Sequence, residues 1–233
     1  MKQNILPNGV WIKSSEPEYP YGTKKVAAAG WHTTIWYDLL IINDGHIRAL
    51  LLHMNKVIDL YLIDSKLILN RNQENYNINF IIENNGLIRL IDHQHSCLYF
   101  KTHKSVNSIS LEKFREEITG KWYVDESRDD HFIFENTIDP ETLKNLPQGM
   151  GHVIFEYLIN NETEEKLIIY HHEGLEKFYI WTAFEINGIV LLEINMLLNG
   201  GRRLYVIKEM DPFKVVGYYI DENGLEKEIM YNR

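Results

Sequence analysis

Short apolar runs, broken by clusters of Asn, Asp and Gly, recur along the whole chain. Ile41-Ile-Asn-Asp-Gly-His-Ile47, Phe80-Ile-Ile-Glu-Asn-Asn-Gly-Leu-Ile88 and Phe184-Glu-Ile-Asn-Gly-Ile-Val190 are three examples. Asp-Gly or Asn-Gly between apolar runs is a hairpin signal, because both residues tolerate the positive φ of a tight two-residue turn. Leu198-Asn-Gly-Gly-Arg-Arg-Leu204 and Ile220-Asp-Glu-Asn-Gly-Leu225 repeat the device. The flanks are rich in Ile, Val, Tyr and Phe, as strands prefer. Alternation is clear at Tyr76, Ile78, Phe80 and Ile82, which share one face of a strand, with Asn77 and Asn79 on the other. Elsewhere strands are apolar on both faces, and alternation does not say which face looks inward.

Helical signals are few. Ser110 precedes Leu111, Phe114 and Ile118, which form one apolar stripe at helical spacing before Gly120. Asp139-Pro140 opens a second short helix over 139–146, with aspartate as cap and proline at the first helical position. Residues 14–30 read as a long loop. The pattern predicts an all-β protein of antiparallel meanders, closed as barrels.

Three short matches recur in order. Asn8-Gly9-Val10-Trp11 is followed by Thr119-Gly120-Lys121-Trp122, Glu83–Ile88 by Glu185–Val190, and Leu98-Tyr99-Phe100 by Leu204-Tyr205-Val206. They suggest two copies of one all-β unit of roughly 100–115 residues. The expected division is a first barrel over 1–109, a linking helix at 110–118, and a second barrel over 119–233 with an extra hairpin at its end.

The Gly-x-Trp at the head of each half, followed by a chain of hairpins, resembles the lipocalin/calycin superfamily. The resemblance implies up-and-down barrels with Trp11 and Trp122 placed across their closed ends. It implies a basic residue from a late strand packed on each tryptophan, for which Lys101 and Lys208 are the candidates. It also implies a lumen for a hydrophobic small molecule. The family's Thr-Asp-Tyr element and C-terminal helix have no counterpart.

Charge changes the picture of possible partners. The chain of 233 residues carries a formal charge of −9. Residues 1–118 hold 13 basic and 12 acidic side chains, whereas 119–233 hold 11 and 21. Only Lys24-Lys25 and Arg202-Arg203 are dense basic sites, too few to neutralise a nucleic-acid backbone. An acidic half attracts a basic protein face. No apolar run approaches the ~18 residues of a membrane-spanning helix, so no membrane partner is expected. The N-terminal residues lack an apolar signal core, and one cysteine, Cys97, excludes an intramolecular disulfide framework. A cytoplasmic location is the expectation.

The candidate chemistry is that of binding rather than catalysis. An aromatic ligand lining is expected from Trp31, Trp36, Tyr61, Tyr76 and Phe80 in the first half, and Tyr157, Phe178, Tyr179 and Trp181 in the second. Asp92-His93-Gln94-His95-Ser96-Cys97 with His103 is the most metal-like stretch, but its spacing matches no zinc signature. No metal or cofactor is expected. His171-His172 would lie on opposite faces of a strand. No serine elbow, phosphate loop or His-Glu-x-x-His is present. Glu156, Glu185 and Glu193 lie in apolar runs and would become acid–base candidates only if they faced a lumen.

Two readings follow. The favoured one is a non-catalytic protein holding an apolar small molecule in a lipocalin-like barrel. The alternative is an acidic interaction protein, such as an immunity protein or other inhibitor, that masks a basic toxin or nuclease surface.

Overall fold

At Asp44-Gly45 and Asn187-Gly188 all four residues adopt positive φ, between 49° and 82°. Each pair reverses the chain between two strands, as the sequence predicts. The computed structural model describes residues 6–14, 38–51, 56–63, 66–71, 74–84, 86–92, 95–102, 109–124, 129–135, 166–172, 174–196, 202–221 and 224–233. The second predicted helix, 139–146, lies outside them, as does most of the predicted loop.

The first barrel comprises β1 (Gly9–Lys13), β2 (Leu39–Asn43), β3 (His46–Leu51), β4 (Lys56–Ile63), β5 (Lys66–Arg71), β6 (Glu74–Ile82), β7 (Ile88–Asp92) and β8 (His95–Lys101). Each strand pairs antiparallel with its sequence neighbours, and β1 closes the ring on β8 with Trp11 opposite Lys101. Closure continues past the strands, since Thr102 donates its backbone N–H and its hydroxyl to the Val10 carbonyl. Trp11, Leu40, Ile42, Leu60, Phe80 and Tyr99 belong to the core that fills this barrel. On β6, Ile78 and Phe80 are buried and Asn79 is exposed, as alternation predicts.

Helix α1 (Leu111–Ile118) precedes the second barrel. Ser110 caps it by accepting from the Lys113 N–H. Its stripe, Phe114 and Ile118, is fully buried in the second barrel's core beside Trp122 and Trp181. That barrel comprises β9 (Gly120–Tyr123), β10 (His131–Phe134), β11 (Lys166–His172), β12 (Leu175–Ile186), β13 (Ile189–Met196), β14 (Arg202–Met210), β15 (Lys214–Ile220) and β16 (Glu226–Asn232). It is again an up-and-down ring, closed where Asn232 on β16 meets Tyr123 on β9. The hairpin of β15 and β16 therefore supplies the seventh and eighth strands of this ring rather than an addition to it.

Topology also sorts the internal matches. Gly9–Trp11 and Gly120–Trp122 both lie on the first strand of a barrel. The two Asn-Gly turns do not correspond, since one joins strands six and seven of its ring and the other joins strands four and five. Leu98–Phe100 lies on an eighth strand and Leu204–Val206 on a sixth. Those two matches reflect the shared grammar of hairpins.

Candidate functional site

The two first-strand tryptophans are held alike. Trp11 Nε1 donates to the Pro7 carbonyl at 3.0 Å and Trp122 Nε1 to the Ile118 carbonyl at 2.6 Å, four residues upstream in both cases. In the first barrel Lys101 lies opposite Trp11, with its side chain across Gly9. In the second, Arg233 takes this place, with its guanidinium 4.4 Å from the Trp122 ring. Lys208, the sequence candidate, instead stands on the outer face, 3.1 Å from Glu228 and over the Tyr218 ring. The tryptophan, its basic partner and α1 seal one end of the second barrel.

Towards the other end the lining changes character. Phe132 and Tyr170 form a cross-strand pair whose rings stack at 4.3 Å. Tyr231 on β16 meets Phe132 at 5.2 Å, and Tyr179 on β12 meets Tyr170 at 6.3 Å. Tyr205 and Tyr219 meet edge-on at 5.4 Å, with the Arg203 guanidinium 5.2 Å from the Tyr219 ring. Five tyrosines and one arginine, drawn from five strands, thus converge on one interior region.

Tyr231, like Tyr205, is buried, at 6 % exposed. Burial pushes its pKa well above the ordinary value, the nearby Tyr205, Tyr170 and Tyr219 hydroxyls push the same way, and Arg203 opposes them. A buried phenol in this state is a hydrogen-bond donor at every ordinary pH.

Of the sequence-predicted lining, Tyr179 and Trp181 face this interior, Trp181 at the sealed end with its Nε1 on the Glu135 carbonyl. Phe178 lies on the opposite face of β12, buried. Phe80 is packed in the first barrel's core. Tyr61 stands on the outer face of β4, 54 % exposed, because Leu60 and Leu62 take the inward positions. Tyr76 lies on β6, its side chain outside the described residues, and Trp31, Trp36 and Tyr157 lie outside them altogether. Phe132, Tyr170, Arg203, Tyr205, Tyr219 and Tyr231 are not among the sequence-predicted lining. For Arg203, Tyr205 and Tyr219 the signal is a period of two along β14 and β15, masked by apolar residues such as Val206 and Tyr218 on the other face.

The remaining candidates do not build a second site. Cys97 is buried in the first barrel's core, its Sγ 3.8 Å from the Leu98 carbonyl. His93 and His103 lie outside the described residues, as does the His95 side chain. Among the described residues no group of three or more His, Cys, Asp and Glu could hold a metal ion. Glu193 is buried on the outer face of β13, opposite Thr182, and the Glu185 carboxylate accepts the Leu111 N–H. Glu156 lies outside the described residues. A cavity of about 600 Å³ opens at the Trp11 end of the first barrel, lined by Leu6, Asn8, Asp44, Leu62 and Lys101 among others. There Asn8 and Asp44 exchange two hydrogen bonds of 2.8 Å, so each satisfies the other. No helix among the described residues is long and apolar enough to cross a membrane.

No protein-family model, curated protein or solved structure matches the chain.

Proposed function

We propose that this is a ligand-binding protein of the lipocalin/calycin kind, whose second barrel holds an apolar small molecule by a hydrogen-bond-accepting head. Kinship with that superfamily is supported by the tryptophan on each first strand and by a basic residue at its side, Lys101 opposite Trp11 in one barrel and Arg233 over the Trp122 ring in the other. The ligand reading is carried by one observation: the buried Tyr231 ring within a wall of four further tyrosines, with Arg203 beside them. Their rings supply apolar area, and their hydroxyls supply the few oriented polar contacts that give a pocket selectivity. Arg203 beside Tyr219 favours an acidic head over a neutral one.

The test is displacement of a lipophilic fluorescent probe by a long-chain carboxylic acid and by its methyl ester. The acid is expected to compete better, and Tyr231→Phe to weaken it by about 1 kcal/mol, one net hydrogen bond. Failure of the chain to bind any probe, or equal affinity in Tyr231→Phe, overturns the proposal.

A further inference from the structure

The outer side of the same wall carries an arrangement that the ligand site does not use. His131 on β10 and His171 on β11 are directly opposed, and their rings stack at 4.4 Å with 13° between planes. Tyr123 on β9 extends the row, 5.8 Å from His131, with the Lys121 ammonium over its ring. On β12, Glu176 stands opposite His171 and comes within 3.6 Å of its Nδ1. Asp129 and Asp130 lie at the start of β10, and both favour a charged His131, Asp129 through its backbone and Asp130 through its charge. Partial burial, Lys121 and His171 act the other way and hold His131 below the ordinary histidine range.

Two neutral imidazoles carry no charge to repel each other. Two imidazolium rings at that separation repel, while the Glu176 carboxylate lies 3.6 Å from His171 and Asp130, next in sequence to His131, acts on that ring through its charge. Asp130 is shared. Its Oδ2 also accepts a long hydrogen bond, 3.4 Å, from the Tyr170 hydroxyl. Tyr170 is the cross-strand partner of Phe132, and both are sequence neighbours of the stacked histidines on the opposite face. The histidine pair and the aromatic wall of the lumen are therefore two sides of one strand pair, linked through one carboxylate.

We propose that the His131–His171 stack is an acid-sensitive latch: protonation of both rings parts them towards Asp130 and Glu176, draws Asp130 from Tyr170, and loosens the Phe132–Tyr170 wall so that ligand leaves. The release step rests on the ligand reading above; the latch itself does not. The latch acts by charge alone, and no covalent step is involved.

Two measurements separate these parts. The first needs no ligand: amide hydrogen-exchange protection factors on β10 and β11 at about pH 8 and pH 5. Wild-type protection is expected to fall by about tenfold at the lower pH, and His131→Phe, which keeps a stacked ring but cannot take a proton, is expected to hold its protection. Equal protection of the wild-type chain at both pH values, or an equal fall in His131→Phe, overturns the latch. The second uses 1-anilinonaphthalene-8-sulfonate as probe. Its affinity is expected to fall by about threefold or more with acid in the wild-type chain and to stay level in His131→Phe. Strand opening with unchanged probe affinity overturns the release step. A chain that opens with acid yet never binds the probe supports the latch and overturns the ligand reading alone.

Discussion

The Arg233 guanidinium lies flat enough on Trp122 to come within 4.4 Å of its ring, and the same group donates through Nη2 to the Glu117 and Thr119 carbonyls. Glu117 and Thr119 flank the end of α1, where carbonyls lack helical partners. One side chain therefore satisfies the helix end, covers the indole and ties both to β16. Its backbone N–H joins in, donating to the Phe213 carbonyl in the β14–β15 turn.

Arg233→Ala is expected to cost about 1–3 kcal/mol, the range for losing charge-assisted hydrogen bonds together with a ring contact. Arg233→Lys is expected to recover less than half of that, because an ammonium cannot stack and donate as a planar fork. Urea denaturation of the three proteins checks both. Equal midpoints would mean that the indole is sealed without this residue.

At the corresponding place in the first barrel Lys101 stands where Arg233 does in the second. Gly9 has φ of +146°, and a Cβ there would stand 2.6 Å from Lys101 Cε. The lysine end can move, but the backbone strain of an L residue at this φ remains. Gly9→Ala is expected to cost about 1–3 kcal/mol. Combining it with Lys101→Ala removes the clash and leaves the strain, so the double variant stays destabilised. Thermal unfolding of the single and double variants measures the two parts.

Much of the architecture was legible because hairpins are written locally. Asp44-Gly45 and Asn187-Gly188 announce their turns in two residues, and Ser110 announces its helix in one. The inward tyrosines of the second barrel were hidden because inward and outward positions were both apolar. Leu39, Leu40, Ile41 and Ile42 on β2 are all buried, so alternation carries no information there. The same holds for β14 and β15, where Val206, Val216 and Tyr218 are as buried as Tyr205. Closure decides the inward face, and closure is a non-local property. Arg233 was missed for the same reason: it becomes the tryptophan's partner only once β16 is the eighth strand.

Helix α1 contributes to the second core through Phe114, fully buried among Ile109, Ile118 and Trp122. Phe114→Ala is expected to destabilise by about 3–5 kcal/mol, as large-to-small core changes do. Ser110→Ala removes only the cap on the Lys113 N–H and is expected to cost about 1 kcal/mol. A near-zero effect of Phe114→Ala on the urea midpoint would show that the barrel closes without its helix.

Stability should fall at both ends of the pH range, for two separable reasons. His131 is held below its ordinary value of 6.5, so the folded state resists the proton more than the unfolded chain does. Its contribution is complete above about pH 6.5 and is lost as pH falls from there through the lowered folded value. Tyr231 is held well above its ordinary value of 10.0, so the folded state keeps a proton that the unfolded chain releases. Its contribution is complete below about pH 10 and declines as pH rises beyond it. Urea midpoints across pH are expected to show both slopes in the wild-type chain. His131→Phe should flatten the acid side and leave the basic side, while Tyr231→Phe should do the reverse. A variant that flattens both sides, or neither, would show that the two groups do not titrate separately from the rest of the barrel.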